Sequence, residues 1–496
     1  MILRPYGSYT LTRKYVTLEG ASVFQRKIPS LLRYLSQTNI VVKESLATVP
    51  PENVQNEKDI LAKRFKGLEK NIWYEFQVLH QLYLHPVTHN AVNLGQGFID
   101  YLPPQYVIDF YRQCIDDSNI LLYQYTRGFG HRRLVDAIAQ VYSKYFFREL
   151  DPLNQILVTS GAYPSLFNAI NGLVNPGDEV ILIEPFFDCY EPMVKATGGI
   201  ARCIALKPKS NSTNEKTSSS ADWILDENEL ESMFNKKTKA IIVNSPNNPL
   251  GKACLITANF TIYFALFCQV FTQQELEKIA GLCQKHNVYC ISDEVYEWIV
   301  YPGHKHIRIA TLPNMWERTL TIGSAGKTFS STGFKIGWTI GPEKLIRACQ
   351  IVHQNCVYTN PTMSQEVVAR CFEHELKRLN SPDCYFNSIS NELLEKRDRI
   401  VQVLKECGMK PIVPDGGYFI LADWTKFNNA QFHSDNEESK DFKFVKYLTK
   451  EKHLATIPAS GFYTKDHIPM ADKYIRFCFA KKDETIEKAI KILKNL

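Results

Sequence analysis

A chain of 496 residues, 45% of them hydrophobic and 22% charged, holds enough apolar surface for a large core spread over two or three lobes. The formal net charge of +6 lies mostly in the first 49 residues, which hold seven Lys/Arg against two Asp/Glu, so no basic face for nucleic acid is expected elsewhere. Thirteen cysteines without a CxxC pair exclude a zinc clamp or dithiol exchange centre; they read as reduced, mostly buried thiols, and no metal site is expected.

From Met1 to about Val49 the residues Arg4, Arg13, Lys14, Arg26, Lys27 and Arg33 alternate with Ser, Thr and Tyr, and Glu19 and Glu44 are the acids. That composition suits a mitochondrial presequence or a basic tail, so the expected location is mitochondrial or cytoplasmic. No secretory signal is recognisable, and the sequons at Asn211 and Asn259 are taken as chance matches. From about Gln155, short β-rich runs alternate with amphipathic helical stretches, which predicts an α/β fold with a mostly parallel sheet flanked by helices. The predicted strands are Gln155 to Thr159, Glu179 to Ile183, Ala240 to Asn244, Tyr289 to Ser292, Leu320 to Gly323 and Ile336 to Ile340. Beyond about Phe372 a long charged helix around Asn391 to Lys405 and strand-like runs at Gly417 to Ala422 and Lys473 to Phe479 predict a smaller α+β domain. The expected division is an extension over 1–62, an arm over 63–104, a large domain over 105–371 and a small domain over 372–496. The polar tracts Lys207 to Ala221 and Asn428 to Lys440 are expected to be surface loops.

Sheets of this kind bind ligands at the carboxyl ends of their strands, and the unusual residues gather there. Lys327 follows the strand ending at Gly323, in Ser324-Ala-Gly-Lys327, among small residues that let a ligand approach. A desolvated lysine amine can condense with an aldehyde, although a lone lysine is more often a surface charge. Thirty-four residues earlier, Asp293 ends another strand and can hold a pyridine nitrogen protonated. Asn248, in Asn244-Ser-Pro-Asn-Asn248, follows a third strand and can donate to a ring oxygen. Ser160-Gly161-Ala162-Tyr163-Pro164 opens a helix whose free N–H groups suit a phosphate. Singly, each motif has a bland explanation as a cap or turn.

Together the motifs resemble the fold-type I aminotransferases, and within them the kynurenine–oxoglutarate transaminases, which are also glutamine transaminases and cysteine-S-conjugate β-lyases. Asn93-Leu-Gly-Gln-Gly-Phe98, Ile183-Glu-Pro-Phe-Phe-Asp-Cys-Tyr190, Met315 through Lys327 and Tyr474-Ile-Arg-Phe-Cys478 carry the resemblance, and Tyr125 through His131 with Asn355 through Thr359 look most like the third vertebrate type. The resemblance implies pyridoxal 5′-phosphate as cofactor and a homodimer acting on amino acids and 2-oxo acids, with no nucleic-acid or membrane partner. It implies Lys327 as the Schiff-base lysine, Asp293 beside the pyridine nitrogen, Tyr296 and Asn248 on the ring oxygen, and Phe187 stacked on the ring. Gly161, Ala162, Tyr163, Ser324 and Lys335 would surround the phosphate, with Tyr125 arriving from a second subunit. Arg476 would grip the substrate carboxylate, Gly97 and Asn248 would border the substrate, and Trp73 would line its side-chain pocket.

The chain departs from the family by an apolar insertion at about 253–269, without a charged residue from Ala253 to Gln274, and by extra residues near Gln81 to Val87. By length alone the insertion could span a bilayer, but spanning would separate two strands of one site. It is expected to be a surface excrescence or an impediment to folding, and the alternative function is an impaired, membrane- or partner-associated relative.

Overall fold

The computed structural model describes residues 61–68, 91–209, 218–252, 273–432 and 438–496. The insertion, Trp73, both sequons and the extra residues near Gln81 lie outside them. Residues Lys63–Leu496 form one compact unit.

The larger sheet has seven strands: β1 (Ile156–Thr159), β2 (Glu179–Glu184), β3 (Ile200–Ala205), β4 (Thr238–Asn244), β5 (Tyr289–Asp293), β6 (Thr319–Ser324) and β7 (Gly337–Ile340). Their order is β1-β7-β6-β5-β4-β2-β3. The pairs among β2 to β6 are parallel, and β7 runs antiparallel to both neighbours. The mostly parallel expectation holds, with β7 the exception and the edge strand β3 an addition.

Successive residues of a strand face opposite sides of the sheet, and here both sides are covered. Val180, Leu182 and Ile242 pack with Leu166, Ile170 and Leu173 of helix α1 (Ala162–Leu173), whereas Ile181, Ile183, Ile241 and Val243 pack with Leu276 and Ile279 of the helix Gln273–His286. This double coverage explains why these strands read as continuous apolar runs. At about 25 cal/mol per Å2 of apolar surface removed from water, such burial is the main stabilising contribution of the sheet.

The second sheet joins β8 (Lys410–Val413), β9 (Phe419–Asp423), β10 (Ile457–Pro458) and β11 (Tyr474–Cys478) with Ser218–Ser219 at its edge. Beside it the charged helix runs over Tyr385–Cys407, longer than the sequence suggested, and ends on Gly408 at φ 92°. The tract at Lys207 to Ala221 needs correction. Lys207–Pro208 and Ser218–Ser219 are strands, and Ser220 is buried with its hydroxyl donating to Asp415 Oδ2 at 2.6 Å. Hydrogen bonding rather than apolar surface holds that end in the fold. The tract Asn428 to Lys440 holds a short helical turn over Ala430–Phe432, and its residue Lys440 opens the helix Lys440–Glu451.

Candidate active site

The register of the large sheet assembles the site. Asn244 pairs directly with Asp293, and Asp293 with Ile322, so the carboxyl ends of β4, β5 and β6 lie side by side. Ser324 closes β6, and Lys327 sits in the short helix Ala325–Thr328 that follows. A cavity of about 280 Å3 opens over these ends. Lys327, Asp293, Tyr296 and Asn248 line it, together with Gly161, Ala162, Tyr163, Ser324 and Lys335 and with Gly97, Phe187 and Arg476. Of the residues singled out in the sequence, two are not on that list: Trp73 lies outside the described residues, and Tyr125 is 80% exposed, its ring edge-on to Tyr358.

Asp293 is buried, accepts from the Tyr190 hydroxyl on Oδ2 at 2.5 Å, and is pushed up to about 6 by burial, against the downward pull of that hydrogen bond. Asn244 locks the strand ends together: its amide donates to Asp293 O at 2.9 Å and its Oδ1 accepts from Asn248 N at 2.8 Å. Lys327 is brought down to about 8, chiefly by burial, with the charges of Arg476, Lys481 and Lys335 adding to the effect. Its Nζ donates to Tyr418 Oη at 2.6 Å and Gly97 O at 3.0 Å.

Arg476 is fully buried on β11, and burial lowers its pKa to about 10. Its Nη1 donates to Asn248 Oδ1 at 2.9 Å and its Nη2 to Gly95 O at 2.8 Å. The guanidinium lies 4.1 Å from the Phe419 ring centroid and 4.8 Å from that of Phe462. Cation–π contact with desolvated rings offsets part of the cost of burying the charge.

One corner of the cavity fits a phosphate. No side chain caps α1, so its first N–H groups face the cavity mouth beside Gly161, which takes φ 98°. A Cβ on Gly337 would lie 2.5 Å from Gly161 C, so only glycine there lets β7 pass this close to the loop. Lys335 brings its ammonium to the same corner, 3.5 Å from where a Gly161 Cβ would stand. An anion cradle, a carboxylate at a strand end and a desolvated amine around one cavity form the donor set that pyridoxal phosphate requires.

Tyr418, Phe419 and Phe462 are neighbours of the site that motif reading did not single out, and Tyr190 is named only as the end of a family run, with no role. The partners of Tyr190 and Tyr418 lie 103 and 91 residues off in the chain, and no local spacing marks them.

The family model for aminotransferase class I and II matches residues 89–257 and 268–493, breaking inside the apolar insertion. Kynurenine–oxoglutarate transaminase 3 of Homo sapiens is 50% identical over 435 residues, covering 87% of this chain and 89% of its own. Kynurenine–oxoglutarate transaminase 1 of Homo sapiens is 43% identical over 432 residues, covering 87% and 96%. Among solved structures, Bna3p of Saccharomyces cerevisiae superposes with a TM-score of 0.78 at 31% identity, covering 88% of this chain and 99% of its own. Among the described residues no helix is long and apolar enough to cross a membrane, and nothing in these comparisons supports an impaired or membrane-attached relative. The chain belongs to the class I and II aminotransferases, in the kynurenine–oxoglutarate transaminase family, whose members in general depend on pyridoxal phosphate, and it is an aminotransferase.

Proposed function

We propose that the protein moves the amino group of L-kynurenine, glutamine and other large neutral or aromatic amino acids to 2-oxo acids, with pyridoxal 5′-phosphate as cofactor and cysteine-S-conjugate β-elimination as a side activity. The observation that carries this reading is the gathering of Lys327 Nζ, Asp293 and the Arg476 guanidinium around one cavity, in a chain 50% identical to a kynurenine–oxoglutarate transaminase.

Gly161, Ala162, Tyr163, Ser324 and Lys335 take the phosphate; Phe187 covers a ring face; Asn248 and Tyr296 meet the ring oxygen; Asp293 meets the pyridine nitrogen. Bound there, the cofactor supplies an electron sink for the charge left on the substrate's α-carbon. Arg476 forks onto the α-carboxylate in the bidentate geometry that guanidinium favours. Asn248 and Gly95, already bonded to that guanidinium, fix its plane before substrate arrives, so little ordering remains to be done on binding. Gly97 and Asn248 border the substrate. Lys327, brought down to about 8, has an appreciable neutral fraction near pH 7 and can take the α-proton and later return it. A good leaving group on Cβ would depart with its own bonding pair while the pair left at Cα forms a Cα=Cβ bond, and hydrolysis of the resulting enamine to pyruvate and ammonia would account for the side activity.

The functional unit is a homodimer in the mitochondrion or cytoplasm, built of the large domain over 105–371 and small domain over 372–496, with Tyr125 entering the partner's site. The exposed apolar run Ile120, Leu121, Tyr123 and Tyr125, with Tyr358 beside it, is the surface that supports pairing. Sedimentation of the purified protein tests this, and a fully active monomer would contradict it. Product analysis with kynurenine, glutamine and a cysteine S-conjugate, each with and without a 2-oxo acid, tests the substrate class. Amine transfer to the oxo acid is expected from the first two, and pyruvate release from the third. Release of pyruvate with no transfer would mark a lyase instead.

A further inference from the structure

Tyr418 stands just before β9, fully buried, with its hydroxyl turned toward the amine of Lys327. Three polar atoms form a closed triangle: Lys327 Nζ to Tyr418 Oη is 2.6 Å, Lys327 Nζ to Gly97 O is 3.0 Å, and Tyr418 Oη to Gly97 O is 3.0 Å. The hydroxyl donates to the carbonyl and accepts from the amine. Gly97 O alone would satisfy a merely structural tyrosine, so the shorter bond to Lys327 is additional.

We propose that Tyr418 is a catalytic residue, whose hydroxyl receives the Lys327 amine whenever that amine is free and holds it in its protonated form between proton removal and proton return. The inference rests on Lys327 being the proton-transferring amine. In that step the substrate's Cα–H bond breaks, its electron pair stays with the substrate, and the proton bonds to the lone pair of Nζ. The resulting ammonium then sits among like charges, with Arg476, Lys481 and Lys335 all disfavouring it, while Asp293 and Cys478 face it with the opposite tendency. Two oxygen acceptors, Tyr418 Oη and Gly97 O, are within hydrogen-bond distance to hold it, and the Tyr296 ring centroid lies 5.6 Å from Nζ. Proton return empties Nζ again and restores the neutral amine, so no outside acid or base is consumed.

The test begins on the protein without cofactor, where the reactivity of Lys327 toward an amine-acylating reagent is followed across pH by peptide mass spectrometry. Wild type should reach half reactivity near pH 8. Tyr418→Phe should move that midpoint down by roughly one to two pH units, because the charged amine loses an acceptor. With cofactor bound, kcat should fall roughly 10- to 100-fold with KM within about two-fold, and the isotope effect on Cα–H cleavage should grow. Fluorinated tyrosines incorporated at position 418 keep the ring and weaken the acceptor, so the midpoint should descend with each added fluorine even if the phenylalanine variant folds poorly. An unmoved midpoint in both series, or a raised KM with kcat intact, overturns the proposal. Transamination surviving in Lys327→Ala would instead overturn the assignment of the lysine itself.

Discussion

The Tyr190 hydroxyl donates to Asp293 Oδ2 at 2.5 Å, joining the residue that opens the helix after β2 to the carboxylate that ends β5. Burial drives the Asp293 carboxyl up toward neutrality and this hydrogen bond opposes it. Tyr190→Phe should therefore raise the Asp293 pKa and weaken cofactor binding by about ten-fold, since a hydrogen bond to a charged group contributes about 1.5–3 kcal/mol. Cofactor titrations from pH 5 to pH 8 would reveal it as a loss largest near neutrality. Equal affinity for variant and wild type across that range would contradict the coupling.

Arg476 is held against the Phe419 and Phe462 rings and at both Nη atoms by fixed oxygens. Lysine at that position keeps the charge but loses the fork and the stacking. Because removing one partner of a buried charge pair costs about 2–5 kcal/mol, Arg476→Lys should lower kcat/KM for kynurenine by at least about 30-fold, mostly through KM. Steady-state kinetics would decide, and a loss confined to kcat would argue that the guanidinium does not hold the substrate.

Asp293 also makes a signed prediction about the protein without cofactor. Its folded value of about 6 exceeds 3.8, so the native state keeps this proton to higher pH than the unfolded chain does. The contribution is fully present below pH 4 and is lost as pH rises through 6, an effect of up to about 3 kcal/mol at roughly 1.4 kcal/mol per pKa unit. Thermal unfolding of wild type and Asp293→Asn should show the variant gaining relative stability between pH 4 and pH 7. A constant difference across that window would mean that the carboxyl titrates normally.

The insertion at 253–269 is flanked by well-anchored residues. Lys252 is fully buried with its amine donating to Trp223 O at 2.5 Å, and the helix Gln273–His286 packs Leu276 and Ile279 into the core. Deleting 253–269 should therefore leave kcat within about two-fold of wild type and raise the soluble yield, as expected when an apolar stretch of this size is removed. Loss of activity in a folded deletion variant would show that the insertion serves the site.

Much of this architecture was legible because the strands of a doubly covered sheet are apolar on both faces, and the site residues follow them immediately in local motifs. Edge strand β3 escaped notice because Arg202 interrupts it and its outer residues stay partly exposed. Ser219 and Ser220 looked like loop because their hydroxyls are held by Asp415, 195 residues from Ser220. Tyr418 and Tyr190 were hidden for the same reason, lying 91 and 103 residues from the groups they touch. Hydrophobic periodicity reports which face is buried, but it carries no information on which distant hydroxyl meets which amine.

The most direct test of the assigned chemistry is the absorbance spectrum of the purified protein with pyridoxal phosphate, before and after addition of kynurenine, for wild type and Lys327→Ala. In wild type the band of the lysine-linked cofactor should convert to that of its amino form, and in Lys327→Ala neither the initial band nor the conversion should appear. Conversion at the wild-type rate in Lys327→Ala, or a folded wild-type protein that forms no band, would contradict Lys327 as the amine at the centre of the site.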